Sequence, residues 1–309
     1  MLSRIAESLF WIGRYVERSD DTARLLQTHL RMLSEDNSQA ESDACHNLLA
    51  LMSVDGVEQP HAGDLLRFLC YDRAAPTSIF ATWAAARDNA RRAREVIPLE
   101  LWECINTTWQ RLPDGHFNTA RTYPFLDWVR QRSSLFTGIA RGTMVRDDGW
   151  QFLLLGRSVE QADMTSRMVA SAALTTGSTN WPSVLRGAGG YDAFLRTHRG
   201  LHTDRDAARF LIVDARFPRS VMHGLRAASE CLEKLALANP SGADRVADGV
   251  RMLGRQRARL EYTAIEELVS GLGDEMTGVQ TACADVTALV SATFFAAADQ
   301  KAWITEGTR

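Results

Sequence analysis

The stretch Gly13-Arg14-Tyr15-Val16-Glu17-Arg18-Ser19-Asp20-Asp21-Thr22-Ala23-Arg24 returns 143 residues later as Gly156-Arg157-Ser158-Val159-Glu160-Gln161-Ala162-Asp163-Met164-Thr165-Ser166-Arg167, with seven of the twelve positions identical. Around the first copy, Leu2, Ile5, Leu9, Ile12, Val16, Ala23, Leu26 and Leu30 follow an unbroken 3-4 spacing, with Ser19 filling its one gap. That spacing is the seam of a long helix packed lengthwise against its neighbours. The second copy places Phe152, Leu155, Val159, Ala162, Ser166 and Val169 on the same seam. A second block repeats at an offset of 142: Arg67-Phe68-Leu69, Asp72, Pro76 and Ser78-Ile79 reappear as Arg209-Phe210-Leu211, Asp214, Pro218 and Ser220-Val221. Two blocks in the same order at nearly the same offset predict duplication of a whole unit. The repeats span residues 1–142 and 143–285, inside a single domain of residues 1–309 whose C-terminal helix runs to 303.

Outward from the motif, the first helix is expected to end near Ser34, before Glu35-Asp36-Asn37-Ser38. Its counterpart, near 151–174, is expected to end at Thr175–Asn180, with Pro182 confirming the break. In each half a second helical stretch leads into the Asp-x3-Pro-x-Ser block. There the proline stops one helix, and Ser78 or Ser220 stands where a cap or first-turn residue of the next is required. Helical patterns then cover 79–94 and, past a break at Pro98, 99–109 in the first half. In the second half they cover 221–238, 243–270 and 275–303. Strand alternation and hairpin dipeptides are absent from the pattern. The fold class that fits is all-α, a helical bundle of about ten helices built from two pseudo-symmetric repeats.

A hydrophobic fraction of 45% and a charged fraction of 24% are ordinary for a globular chain with a sizeable core. The net charge of −3 argues against nucleic acid as a partner, since it provides no global basic field. Lys234 and Lys301 are the only lysines among 35 basic residues. Codon bias in a GC-rich genome accounts for that; many planar, bidentate contacts to carboxylate or phosphate would also account for it. The five cysteines, Cys45, Cys70, Cys104, Cys231 and Cys283, are odd in number and scattered, so neither a zinc cage nor a disulfide framework is indicated. The first turns carry Arg4 and Glu7 and lack a signal-peptide core. The longest weakly polar stretch, 286–298, is too short to span a bilayer. A cytoplasmic location without membrane contact is the expectation.

On a helix turning about 100° per residue, Gly13, Glu17, Asp20 and Arg24 share one narrow face, flanked by Arg14. The second copy repeats the stripe as Gly156, Glu160, Asp163 and Arg167, flanked by Arg157. The face borders the apolar seam, so these groups should be partly buried. Three readings remain open at this point. The stripes form a buried ion-pair network; or they form a site with arginines for carboxylate or phosphate and carboxylates for Mg²⁺ or an amine; or they hold a metal alone. The last is disfavoured because the Glu-x-x-His pairs of di-iron bundles are absent and nearby arginines repel a cation. No metal and no cofactor is therefore expected, with Mg²⁺ the one ion kept in view. His198, His202 and Asp206, spaced four apart, are a weak metal candidate interrupted by Gly200. Gly187-Ala188-Gly189-Gly190 follows no strand and reads poorly as a nucleotide loop. The arginine runs near 87–94 and 251–259 read as solvated faces. Spacing alone assembles no nucleophile–base pair.

Taken with Met1-Leu2-Ser3-Arg4, Glu7-Ser8-Leu9-Phe10-Trp11, Leu101-Trp102-Glu103-Cys104-Ile105-Asn106 and Asp214 with Phe217-Pro218-Arg219-Ser220, the first motif resembles the bacterial alpha-E family. That family is named for a helical domain with a Glu-Arg motif, here Glu17-Arg18. The resemblance covers essentially the whole chain and implies an all-α, cytoplasmic protein. It implies genes beside, or fused to, circularly permuted ATP-grasp proteins, often near transglutaminase-like peptidases and a proteasome-like peptidase. It supplies no catalytic residues to transfer, and Gln161 stands where the second copy would need Arg18. The candidate ligand-binding set is Arg14, Glu17, Arg18, Asp20, Arg24, Arg157, Glu160, Asp163 and Arg167. The functional expectation is a non-catalytic partner, or peptide-binding subunit, of an ATP-grasp amide-ligase system that makes or modifies a peptide. Two alternatives stand beside it: an enzyme of the same pathway that uses the Glu/Asp/Arg cluster, and a purely structural helical protein.

Overall fold

A computed structural model describes residues 2–35, 41–112, 121–174, 181–198, 200, 202–239 and 242–295. Among these the chain forms fourteen α-helices and no strand. The two motif-bearing helices, α1 (Ser3–Glu35) and α7 (Asp148–Leu174), lie against each other at the centre. The 3-4 seam is what they bury: Leu9, Ile12, Ala23 and Leu26 of α1, and Leu155, Ala162 and Val169 of α7, are fully enclosed. Their backbones meet at the motif glycines. A Cβ on Gly13 would run into the carbonyl oxygen of Leu153, and one on Gly156 into that of Phe10. A side chain at either position would force the central helices apart, and this close crossing brings each stripe within reach of the other helix.

Each central helix carries two long helices of its own half, and a third packs on that pair. In the first half, α4 (Ile79–Arg92) and α6 (Thr122–Thr143) pack on α1, and α5 (Leu99–Gln110) lies across both. In the second half, α11 (Val221–Ala238) and α14 (Leu272–Val290) pack on α7, and α12 (Ala243–Tyr262) lies across both. The connecting segments are shorter helices: α2 (Glu41–Leu51) and α3 (Ala62–Leu66) before α4, and α8 (Trp181–Gly187), α9 (Tyr191–Thr197) and α10 (Asp204–Ile212) before α11. A π-helical turn at Arg67–Tyr71 continues α3.

The repeated serines are N-caps. Ser78 is extended and its hydroxyl oxygen accepts from the Ala81 N–H at 3.0 Å; Ser220 is extended and accepts from the His223 N–H at 3.1 Å. Each satisfies one of the N–H groups that a helix start leaves without an intrahelical partner.

Three expectations need correction. The pattern over 243–270 is two helices, because Thr263 and Ala264 are extended between α12 and α13 (Ile265–Ser270). No proline or glycine marks that break; Thr263 closes α12 by donating its N–H, at 3.1 Å, and its hydroxyl, at 2.6 Å, to the Arg259 carbonyl. The last helix begins at Leu272 and passes into a π-helical turn at Ser291–Phe295. Its expected course to 303 lies outside the described residues, as do the expected loops at 36–38 and 175–180. The total of about ten was low because the segments between the long helices hold short helices of their own, and because the 22-residue helix Thr122–Thr143 has no counterpart among the expected helical patterns. No helix among the described residues is long and apolar enough to cross a membrane.

Candidate functional site

The close crossing places the stripes side by side, and their carboxylates pair across it. Glu160 is wholly enclosed and accepts from Arg14 Nε at 2.7 Å. It also accepts both arms of the Arg18 fork, Nε on Oε1 and Nη2 on Oε2, the latter at 3.1 Å. In the opposite direction Glu17 accepts from Arg157 Nε at 2.6 Å and from Gln161 Nε2 at 3.2 Å. Two aspartates close salt bridges along their own helices. Arg24 Nε donates to Asp20 Oδ2 at 2.9 Å, and Arg167 Nε to Asp163 Oδ2 at 2.9 Å. Arg167 also ties α7 to the end of α2 through the Leu51 carbonyl at 2.9 Å. All nine sequence-derived candidates are thus held in ion pairs at the helix crossing, in neighbouring groups around Glu160, around Glu17 and Asp20, and at Asp163–Arg167.

Three bonded members of these groups, Gln161, Arg219 and Asp21, were not among those candidates. Arg219, just before the Ser220 cap, reaches Glu17 Oε1 and Asp20 Oδ2, each at 3.1 Å, and Asp21 Oδ1. Its signal lay in the second repeated block, where Thr77 is aligned with Arg219 while Gln161 is aligned with Arg18. An arginine lost on the helix is matched by one gained at the cap. Asp21 was hidden because Met164 holds its place in the second copy.

The electrostatics separate the carboxylates. Burial opposes ionisation of Glu160, but Arg18 and Arg14 more than offset it and hold its pKa well below the ordinary carboxylate range. Asp20 is likewise lowered, burial being outweighed by Arg219 and Arg24. Asp21 goes the other way: burial, with Glu17 and Asp20 adding like charge, raises its pKa well above the usual value despite Arg219. Asp163 is also raised, by burial first and by Glu160. Burial pushes the Cys45 thiol up to about 11 and the Cys231 thiol to about 12. Cys70, Cys104 and Cys283 are raised as well, with burial the main cause, so the cysteines are held as thiols at neutral pH.

Glu17, Asp20 and Asp21 each bring an oxygen within 4.8 Å of the others, the only such grouping of three potential metal ligands among the described residues. Arg219 binds all three, so a Mg²⁺ ion there would compete with a guanidinium for the same oxygens. His198 and His202 do not gather with Asp206 into such a group; their rings lie against Phe194, at 4.6 and 5.2 Å between centroids. In the arginine runs, Arg91 pairs with Asp88 and Arg251 with Asp248 on solvent-facing helix sides, while the exposed Arg259 reaches the buried carboxylate of Glu275. Beside the second stripe a cavity of about 380 Å³ is lined by Arg14, Arg18, Asp163, Arg167 and the α14 face around Cys283 and Thr287.

With this geometry in hand, comparison with known proteins is direct. Residues 1–295 match the family described as Alpha-E, a predicted alpha-helical domain with a conserved ER motif. The chain belongs to the Alpha-E family. Its single Glu-Arg dipeptide is Glu17-Arg18, at the helix crossing. Among curated proteins it is similar to the uncharacterized protein Rv2567 of Mycobacterium tuberculosis, 22% identical over 329 residues, and to the uncharacterized protein Mb2597 of Mycobacterium bovis, 21% identical over 330. In both cases the match covers 94% of this chain and 36% of the relative, so this Alpha-E chain spans about a third of those proteins' length. No solved structure matches it.

Proposed function

We propose that this Alpha-E protein is a non-catalytic binding subunit of an ATP-grasp amide-forming system that makes or modifies a peptide in the cytoplasm. It would hold the circularly permuted ATP-grasp enzyme or its peptide substrate, with a transglutaminase-like peptidase as a further partner. The family resemblance supplies the setting. The observation that carries the role is the pairing of Glu17 and Glu160 with arginines of the opposite helix, which turns the most chemically suggestive residues into a clasp. Reciprocal pairs such as Arg14–Glu160 and Arg157–Glu17 also support reading the halves as pseudo-symmetric repeats locked at their Glu-Arg elements. In the long mycobacterial relatives, a domain matching about a third of the chain is consistent with a module that works beside others.

The test is affinity capture of the tagged protein from its native cytoplasm, followed by mass spectrometry. Stoichiometric recovery of an ATP-grasp protein is the expected result. Recovery of this chain alone, at a clean monomer or dimer mass, would count against the subunit role.

One observation favours a second reading, an enzyme of the same pathway acting on a carboxylate or phosphate substrate. The cavity beside Arg14, Arg18 and Arg167 holds Asp163, whose raised pKa suits a proton-transfer group. On that reading Asp163→Asn abolishes turnover while leaving the captured assembly intact.

A further inference from the structure

Away from the crossing, a cleft of about 440 Å³ opens between the C-terminal half of α1, the middle of α6 and the corner joining α8 to α9. Four guanidinium groups line it: Arg24 and Arg31 from α1, Arg130 from α6, and Arg186 from α8. Among the described residues of its lining the only carboxylate is Asp192. Arg24 and Arg130 each also meet a carboxylate outside the lining. Asp20 takes Arg24 Nε at 2.9 Å but is shared with Arg219, and Asp127 takes Arg130 Nη1 at 3.4 Å. Four guanidinium groups thus converge on one cleft whose described lining holds a single carboxylate.

The arginines are also placed. Arg130 Nη1 is fixed on Gln27 Oε1 at 2.7 Å, while its Nε is buried with no hydrogen-bond partner among the described residues. Arg186 stacks over the Tyr191 ring, its guanidinium carbon 4.0 Å from the centroid. Gly189 sits at φ +69°, and a Cβ there would collide with Arg24 Nη1, so the corner is shaped to let that guanidinium lie against it. Thr28 and Ser183 add hydroxyls to the wall. Volume and lining match a small-ligand site, which typically measures about 300–1,000 Å³. Planar forks around one polar cavity are the donor set for carboxylate and phosphate oxygens.

We propose that this cleft binds a compact oligoanion, a ligand bearing two or more closely spaced phosphoryl or carboxylate groups. The site lies away from the Glu17–Glu160 pairing, shares with its surroundings only Arg24, and needs no ATP-grasp partner. Arg130 feels the crowding of guanidinium groups, its pKa being held down by burial and by Arg24, against the pull of Asp20 and Asp127.

The test is calorimetric titration of the whole protein at low salt with two probes, inorganic pyrophosphate and triglutamate. It is repeated on R186Q, R130Q and the control R251Q, which alters an arginine outside the cleft. At least one probe should bind with one site per chain and weaken as salt rises. Its Kd should rise about tenfold or more in R186Q and in R130Q, the usual consequence of losing a charge-assisted hydrogen bond. It should hold in R251Q. Preference for pyrophosphate assigns the ligand to phosphoryl chemistry, and preference for triglutamate to acidic peptides. Arg186 is exposed, so R186Q keeps the test decisive should R130Q fold poorly. Absence of binding by both probes at millimolar concentration, or binding unaffected by R186Q, overturns the proposal.

Discussion

Glu17 and Glu160 occupy the same place in the repeated motif, yet they are neutralised by different means. Glu160 takes both its arginines, Arg14 and Arg18, from one face of α1. Glu17 takes Arg157 from the matching position of α7, but where a second helix arginine would stand it meets the amide of Gln161 and a guanidinium from another element, Arg219. The aligned positions exchange in complement: Arg18 and Thr77 in one half, Gln161 and Arg219 in the other. Position within a repeat therefore sets which charge must be buried, and does not set where its partner comes from. The exchange has a consequence. An arginine approaching from the cap of α11 reaches further along α1 than one on α7 does, and there it meets Asp21 as well as Asp20. The Glu160 side has Met164 at that place and gathers no third carboxylate.

The largest expected effect follows from removing the shared cation. Arg219→Thr, which copies the residue of the first half, leaves Glu17, Asp20 and Asp21 crowded with one fewer guanidinium. A buried ion network that loses one partner is destabilised by about 3–5 kcal/mol, and urea unfolding should read a loss in that range or above it. Adding Gln161→Arg rebuilds the arrangement of the Glu160 side, and the double variant should recover more than half of the loss. A double variant no more stable than Arg219→Thr alone would break the idea of complementary exchange.

The two sides should next be separable by pH. The folded-state pKa of Glu160 is depressed. It therefore contributes stability at pH values above its unfolded pKa of about 4.3, and that contribution is lost as pH falls through the lower folded value. Asp21 has the opposite sign, its folded pKa being raised. It destabilises the fold above its unfolded pKa of about 3.9, by an amount that grows with pH until the raised folded value is passed. Glu160→Gln should cost about 3 kcal/mol at neutral pH, with the gap to the parent protein closing below about pH 4. Asp21→Asn should be neutral or stabilising by about 1 kcal/mol at pH 8, and the gain should shrink toward pH 5. Unfolding curves collected from about pH 2 to about pH 8 check both. A large loss in Asp21→Asn at pH 8 would mean that the Arg219–Asp21 pair outweighs burial.

Which of this was legible beforehand follows physical lines. Helix seams were legible because burial selects apolar side chains at 3-4 spacing, and Leu9, Ile12, Ala23 and Leu26 are all enclosed. The stripes were legible because their residues are fixed by register on one helix. Arg219 was not, since its role depends on how α11 is entered beside α1, a tertiary fact that local spacing does not encode. The break at Thr263 was not legible either, because no residue there forbids a helix. The arginine cleft draws Arg24, Arg130 and Arg186 from three helices far apart in sequence, and only the folded chain brings them together.

The smallest contrast lies in the two caps, and there the halves reach one result through different bonds. Both serines accept an N–H from their own first turn, so each Ser→Ala change should cost about 1 kcal/mol. Both preceding aspartates also close the same tight turn, Asp72 Oδ1 accepting from Ala74 N–H at 2.8 Å and Asp214 Oδ1 from Arg216 N–H at 3.0 Å. Beyond that they diverge. The Ser78 hydroxyl additionally donates to the Asp72 carbonyl at 2.6 Å, while on the other side the Arg216 guanidinium folds back onto the Asp214 carboxylate. The first bond is half-buried; the second involves an arginine side chain that is 80% exposed. Exposed pairs contribute about 0–1 kcal/mol, whereas a buried carbonyl that loses its donor costs about 1 kcal/mol or more. Ser78→Ala should therefore destabilise more than Ser220→Ala, by roughly 1 kcal/mol, and Arg216→Ala should fall within about 0.5 kcal/mol of the parent protein. Equal losses for the two serines in urea unfolding would show that the Asp72 carbonyl finds water as readily as it finds the hydroxyl, and would return the caps to equivalence.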